Sequence, residues 1–176
     1  MLSQRNFVFT IALFLGAINL STIYAQESNV KAIAVIQPTT GNKANGIVRF
    51  TEVNGGVQII ADINGLKPGE HGFHIHEFGD CSASDASSAG AHFNPTNKKH
   101  GCPNDPEHHA GDMGNIVADS NGHAHFDFVS KDIKLQGNNN VIGRSIIVHE
   151  GKDDCISQPA GNSGAKIGCG VIGIAK

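Results

Sequence analysis

Beyond residue 25 the chain runs in short stretches where apolar and polar side chains alternate, the two-residue period of a strand with one buried face. Residues 29–37 are rich in Val, Ile and Ala. Residues 46–53 and 57–64 flank Asn54-Gly55-Gly56, a strong hairpin turn. In the second of these runs Val57, Ile59, Ala61 and Ile63 share one face. Residues 116–119 and 123–129 flank Ser120-Asn121-Gly122 and predict another hairpin. Residues 145–149 and 170–175 add short β-branched runs. No stretch sustains a 3.6-residue period, so helices are minor and the chain reads as all-β, a sandwich or closed barrel.

Two long stretches break the alternation. Residues 79–114 and 150–168 are rich in Gly, Asp, Asn and Ser. Loops of that length inside a domain are usually functional or disordered. The first holds His92, His100, His108, His109 and Asp112 together with Cys81 and Cys102. A metal and a disulfide can order such a loop.

Residues 1–25 stand apart. They open on Arg5, continue in an apolar run from Phe7 to Ile18 broken by Thr10 and Gly16, and end in small residues at Ala25. This is the layout of a secretory signal peptide, followed by one domain over residues 26–176. Ile23 is bulkier than the small residue usual two positions before a cut. The apolar run is shorter than the roughly 20 residues that span a bilayer, so no membrane attachment is expected after cleavage. Export implies an oxidising compartment, the periplasm or the extracellular space, where 4 Cys read as two disulfides. Spacing does not choose among the three possible pairings.

With 176 residues the chain can bury a core of its own. The net charge of −3 leaves no basic stripe for phosphates, so nucleic acid is not an expected partner. Loss of the leader removes Arg5 and no acid, which makes the rest slightly more acidic. Ten His is a surplus that points to metal binding or pH sensing. His74 and His76 sit two apart with Phe73 and Ile75 on the opposite strand face, good spacing for two ligands of one metal. His123 and His125 have the same spacing, and with Asp127 they read as a solvated face. Spacing alone does not separate the two pairs.

Longer motifs do. HGFHIHEFGD (71–80), SAGAHFNP (88–95), KHGCP (99–103), HAGDMGN (109–115), IGRSIIVHE (142–150) and IGCGVIGIAK (167–176) resemble the copper–zinc superoxide dismutases, in the family's order and across the whole mature chain. That family is itself a standard example of sandwich architecture. The resemblance implies a Greek-key antiparallel β-barrel or sandwich of about eight strands with two long functional loops. It implies copper held by His74, His76, His92 and His149, and zinc held by His92, His100, His109 and Asp112, with His92 bridging both. Four imidazoles suit Cu(II) and can still hold Cu(I), and three His with one Asp suit a structural zinc. Asp153 aligns with a carboxylate that links a copper His and a zinc His, here His74 and His100. His71 aligns with a loop hydrogen-bonding position, and His108 reads as an exposed neighbour of His109. Phe73, Phe93, Phe126 and Phe128 read as core.

The implied reaction is dismutation of superoxide to dioxygen and hydrogen peroxide by a Cu(II)/Cu(I) cycle, with His92 carrying a proton between half-steps. Lys166 stands where most relatives have an Arg that guides the anion; its charge is kept but not the planar fork. Ala160 stands where many have a Thr beside the channel. The resemblance also implies a Cys81–Cys169 bridge. Cys102 and Cys155 each lie two residues beyond a member of the His100–Asp153 contact, and this proximity suggests a second bridge. The tail GVIGIAK resembles that of relatives that dimerise through an apolar patch, which suggests a homodimer. An exported metal buffer or an inactive domain of the same fold is the competing reading, and inactive relatives usually lack a copper ligand, whereas all four positions are filled here. An adhesion-type sandwich with incidental His is more remote still.

Overall fold

The computed structural model describes residues 30–176. Nine strands follow one another: β1 (Lys31–Pro38), β2 (Asn45–Val53), β3 (Gly56–Asn64), β4 (Gly69–His76), β5 (Asp112–Ala118), β6 (Ala124–Ser130), β7 (Ser145–His149), β8 (Lys166–Val171) and β9 (Gly173–Ala175). One 3₁₀ turn (Ser87–Ala89) interrupts the first long loop. Every pairing between these strands is antiparallel. The order is β2-β3-β6-β5-β4-β7-β8-β1, and β1 pairs with β2 to close an eight-stranded barrel. β3 lies beside β6, and β4 and β5 lie beyond it, the crossing of a Greek key. β9 adds a short pairing with β1. Among the described residues no helix is long and apolar enough to cross a membrane.

The strand faces explain the closure. In β3 Val57, Ile59, Ala61 and Ile63 are fully buried, and in β1 Ala32, Ala34 and Ile36 turn inward. Phe50, Ile116, Ile146 and Val148 meet them in one contiguous core. β7 is buried along its whole length. Phe73 and Ile75 of β4 point into this core with Phe93, while Phe126 and Phe128 are partly buried against it. His123, His125 and Asp127 are exposed, as a solvated face requires.

Both long loops are shorter at one end than their composition predicts. β5 begins at Asp112 rather than at residue 116, and β8 begins at Lys166 while residues 150–168 read as loop. The 170–175 run is two strands, split at Ile172. The first loop is fastened by the Cys81–Cys169 bridge to β8, and the Cys102–Cys155 bridge fastens it to the second loop. Closing chains of these lengths is worth about 4–5 kcal/mol each in the chain-entropy picture.

Candidate metal centre

The centre is built on the outer face of β4. With Phe73 and Ile75 turned inward, His74 and His76 turn outward, yet both are buried because the long loops cover them. The first loop is laid along the end of β4 by backbone hydrogen bonds. Glu77 N donates to Ala91 O (2.8 Å), Phe93 N to Ile75 O (2.8 Å), Gly111 N to Phe93 O (2.9 Å) and Ile75 N to Gly111 O (2.9 Å). These bonds set His92 beside the β4 histidines, with 4.1 Å between the His74 and His92 ring centroids. His149 arrives from the end of β7, its ring 4.9 Å from His74 and 5.5 Å from His76.

Two four-residue clusters result: His74, His76, His92 and His149, and His92, His100, His109 and Asp112. Within each, one potential ligand atom per residue lies within 4.8 Å of all the others, and every member is buried. His92 belongs to both. Asp112 gathers the second cluster, with Oδ1 2.7 Å from His92 Nδ1 and 3.2 Å from His109 Nδ1, and Oδ2 3.1 Å from His100 Nδ1. Its carboxylate also accepts from His109 N (2.8 Å) and Gly101 N (3.2 Å).

The remaining ring nitrogens are pinned from outside. His74 Nε2 donates to Asp153 Oδ2 (2.7 Å) and His100 Nε2 to Asp153 Oδ1 (2.9 Å), so one carboxylate spans the two clusters. His76 Nδ1 donates to Gly90 O (2.9 Å), and His149 Nδ1 to Gly164 O (3.2 Å). Such outer partners fix ring orientation and tautomer in metal sites. Three buried polar side-chain atoms among the described residues have no hydrogen-bond partner: His74 Nδ1, His92 Nε2 and His100 Nδ1, the last facing Asp112 Oδ2 at an angle that does not make a hydrogen bond. All three lie on cluster rings, and a buried lone pair without a partner is costly. Metal coordination is the chemistry that satisfies them.

Electrostatics follow from burial and these contacts. Burial is the main cause that lowers the pKa of His92 to about 4 and of His149 to about 3, helped by neighbouring rings. Burial also drives His76 well below its ordinary value. For His100 burial works the other way from its partners, and the negative carboxylates of Asp112 and Asp153 on either side of the ring outweigh it, raising its pKa to about 9. Burial opposes ionisation of Asp112 and Asp153, yet their histidine partners hold both far below the usual carboxylate range.

A cleft of about 580 Å³ opens beside the first cluster, lined by His76, His149, Ala160, Ser163, Gly164 and Lys166 among others. Lys166 is half-buried, and its Nζ donates to Gly90 O (3.0 Å) and Ala86 O (3.2 Å). Gly90 O therefore receives both Lys166 and His76. His71 bridges His149 O and Lys67 O, each at 2.8 Å. His108 departs from expectation: it is buried, facing Asp105 O (2.8 Å) in its own loop and Asp132 Oδ2 (3.2 Å) two residues past the end of β6, which give its ring two polar partners. Sequence reasoning missed Asn115 and Gln158, whose amides clamp the backbones of Asp153 and His100. Asn115 stood inside a matched motif, whereas nothing marked Gln158.

Fold and clusters together define a closed antiparallel β-barrel that carries two adjoining donor clusters suited to metal ions. Residues 44–172 match the family model described as copper/zinc superoxide dismutase (SODC). "Superoxide dismutase [Cu-Zn] 3" of Arabidopsis thaliana is 42% identical over 157 residues, 85% of this chain and 94% of that protein. "Extracellular superoxide dismutase [Cu-Zn]" of Brugia pahangi is 43% identical over 152 residues, 81% of this chain and 75% of that protein. "Superoxide dismutase [Cu-Zn]" of Paramecium bursaria Chlorella virus 1 is 44% identical over 176 residues, 96% of this chain and 91% of that protein. The chain belongs to the copper/zinc superoxide dismutase family. It is an oxidoreductase that dismutes superoxide, with copper and zinc as cofactors, and the two clusters suit those ions.

Proposed function

We propose that His74, His76, His92 and His149 hold copper, that His92, His100, His109 and Asp112 hold zinc, and that His92 is shared. The observation that carries this reading is the set of unpartnered buried nitrogens on His74, His92 and His100, within two four-donor clusters that have one ring in common. When bound, copper supplies a one-electron couple, by which one superoxide loses an electron to leave as dioxygen and a second gains it, with two protons, to leave as hydrogen peroxide.

The chain's own residues do the rest. Asp153, Gly90 O and Gly164 O keep the ring protons of His74, His76 and His149 on the nitrogens turned away from the cluster. With pKa values of about 4 and 3, His92 and His149 are neutral donors at neutral pH. His92 can hold a proton at Nε2 between half-reactions while Asp112 keeps its Nδ1 side in place. Lys166 offers a positive charge at the cleft where an anion must enter a negatively charged protein, a case of electrostatic steering for which this family is a standard example. A point charge without the guanidinium fork holds the anion less tightly.

The reading extends to the setting. Residues 1–25, outside the described residues, act as a signal peptide, and residues 26–176 serve antioxidant defence in the periplasm or extracellular space. Two disulfides support export. Exposed Val171 and Ile174 in the tail support a homodimer. Metal analysis combined with pulse radiolysis on the mature protein tests the core of this reading. Copper and zinc in equal amounts with rapid superoxide decay are expected. Both metals bound without superoxide decay would overturn the copper cycle, and a His92→Ala protein that keeps full zinc and full rate would overturn the shared ring.

A further inference from the structure

The two long loops are stitched together around one zinc-side residue by groups that no step of the reaction uses. Gln158 grips the backbone of His100 with both ends of its amide: His100 N donates to Gln158 Oε1 (2.9 Å), and Gln158 Nε2 donates to His100 O (2.9 Å). The same Nε2 also donates to Ile156 O (3.2 Å), which orients the amide. Asn115 grips Asp153 in the same way, donating to Asp153 O (2.9 Å) and accepting from Asp153 N (2.7 Å). Between the clamps the Asp153 carboxylate meets the His100 ring. Two residues beyond each partner of that contact, Cys102 and Cys155 are bridged.

The surroundings are fitted to this junction. Cys155 N donates to Asp153 Oδ1 (2.7 Å), and Cys155 has a left-handed φ of 61°. A non-glycine residue keeps such a backbone only where its neighbours over-determine it. Gly161, at φ +65°, passes so close that a Cβ would overlap both the Asp153 carboxylate and the His100 ring. Ordering a loop costs conformational entropy. A crosslink and a two-ended clamp meet that cost at folding, so metal binding does not have to.

We propose that Gln158 and the Cys102–Cys155 bridge form a latch on His100, holding it in the ligating pose with or without zinc, so that zinc is retained through slow release. The proposal rests on the assignment of His100 to zinc. Gln158 and the two cysteines are positioning residues, since none belongs to either donor cluster.

The test uses the mature copper- and zinc-loaded protein and two variants, C102S/C155S and Q158M. Zinc transfer to a chromogenic chelator is timed at neutral pH, and cobalt is placed in the zinc site for its visible spectrum. Either variant is expected to release zinc at least tenfold faster, with cobalt bands broadened relative to the parent. Q158E keeps the acceptor for His100 N and loses the donor to His100 O, so its release rate is expected between those of parent and Q158M. A lower melting temperature with parental zinc release and parental cobalt bands overturns the latch. If C102S/C155S does not fold, Q158M alone decides. Failure of the parent to take up four-coordinate cobalt overturns the zinc assignment itself, which is a distinct result.

Discussion

Lys166 lines the cleft beside the four-histidine cluster. Its ammonium is tied to two loop carbonyls and half-buried, and burial lowers its pKa. Field focusing of this kind raises on-rates by about 10- to 1,000-fold, a range for which the family is a standard case. Lys166→Glu is expected to slow superoxide removal at least tenfold at low ionic strength and to abolish the fall in rate with added salt; an unchanged rate would remove Lys166 from the guidance role. His100 makes a second prediction. In the metal-free protein its pKa of about 9 lies above the ordinary 6.5, so it is protonated at pH 7.5. That imidazolium stabilises the metal-free fold fully below pH 6.5, and the contribution is lost as pH rises through about 9. Zinc needs the lone pair on Nδ1, so binding at pH 7.5 should expel a proton from His100, and this release should vanish above about pH 9. Calorimetry in buffers of differing ionisation enthalpy reads the count directly.

The strands were unevenly legible. β3 announces itself, because four apolar residues alternate along it and a turn precedes it. β8 is legible only from Gly170 onward, because Lys166 to Gly168 read as the end of the glycine-rich loop; both Gly168 and Gly170 lack a side chain for one reason. They are there since β1 crosses closely: a Cβ on Gly168 would lie 2.8 Å from Ile36 Cγ2, and one on Gly170 2.7 Å from Val35 O. β5 was cut short for a related reason, as its first residues, Asp112-Met113-Gly114, carry a cluster carboxylate and a glycine at φ +72°. The donors themselves became legible only through long motifs. Alternation within β4 puts His74 and His76 on one face, but β6 offers His125 the same grammar, and only the loops that bury the β4 pair distinguish them. β4 thus serves two masters, with core on one side and the histidines of the donor cluster on the other. Ile75→Ala should therefore destabilise the metal-free fold by about 2–5 kcal/mol in denaturant titration while leaving copper and zinc at parental levels. Loss of either metal in that variant would show that the two faces of β4 are not independent.

Closure of the barrel decides how copies of this protein can meet. β1 pairs with β2 along one side and with β8 and β9 at the two ends of the other, so the sheet closes on itself, with its loosest joint where β5 and β6 share only the Ala118–Ala124 position. Association must then rely on side chains, and Val35 (52% exposed), Val171 (44%) and Ile174 (74%) are the apolar groups available on β1, β8 and β9. Sedimentation equilibrium of the mature protein should give twice the chain mass, and Ile174→Glu should shift it toward the single-chain mass with metal content intact; a parent that sediments as one chain refutes the homodimer. Barrel closure also bears on aggregation. Unpaired amides at a sheet margin are the usual template for strand-to-strand stacking into fibrils. Closure into a barrel withholds most of those amides from a second chain, so folded copies meet side chain to side chain and the individual strands stay out of the contact.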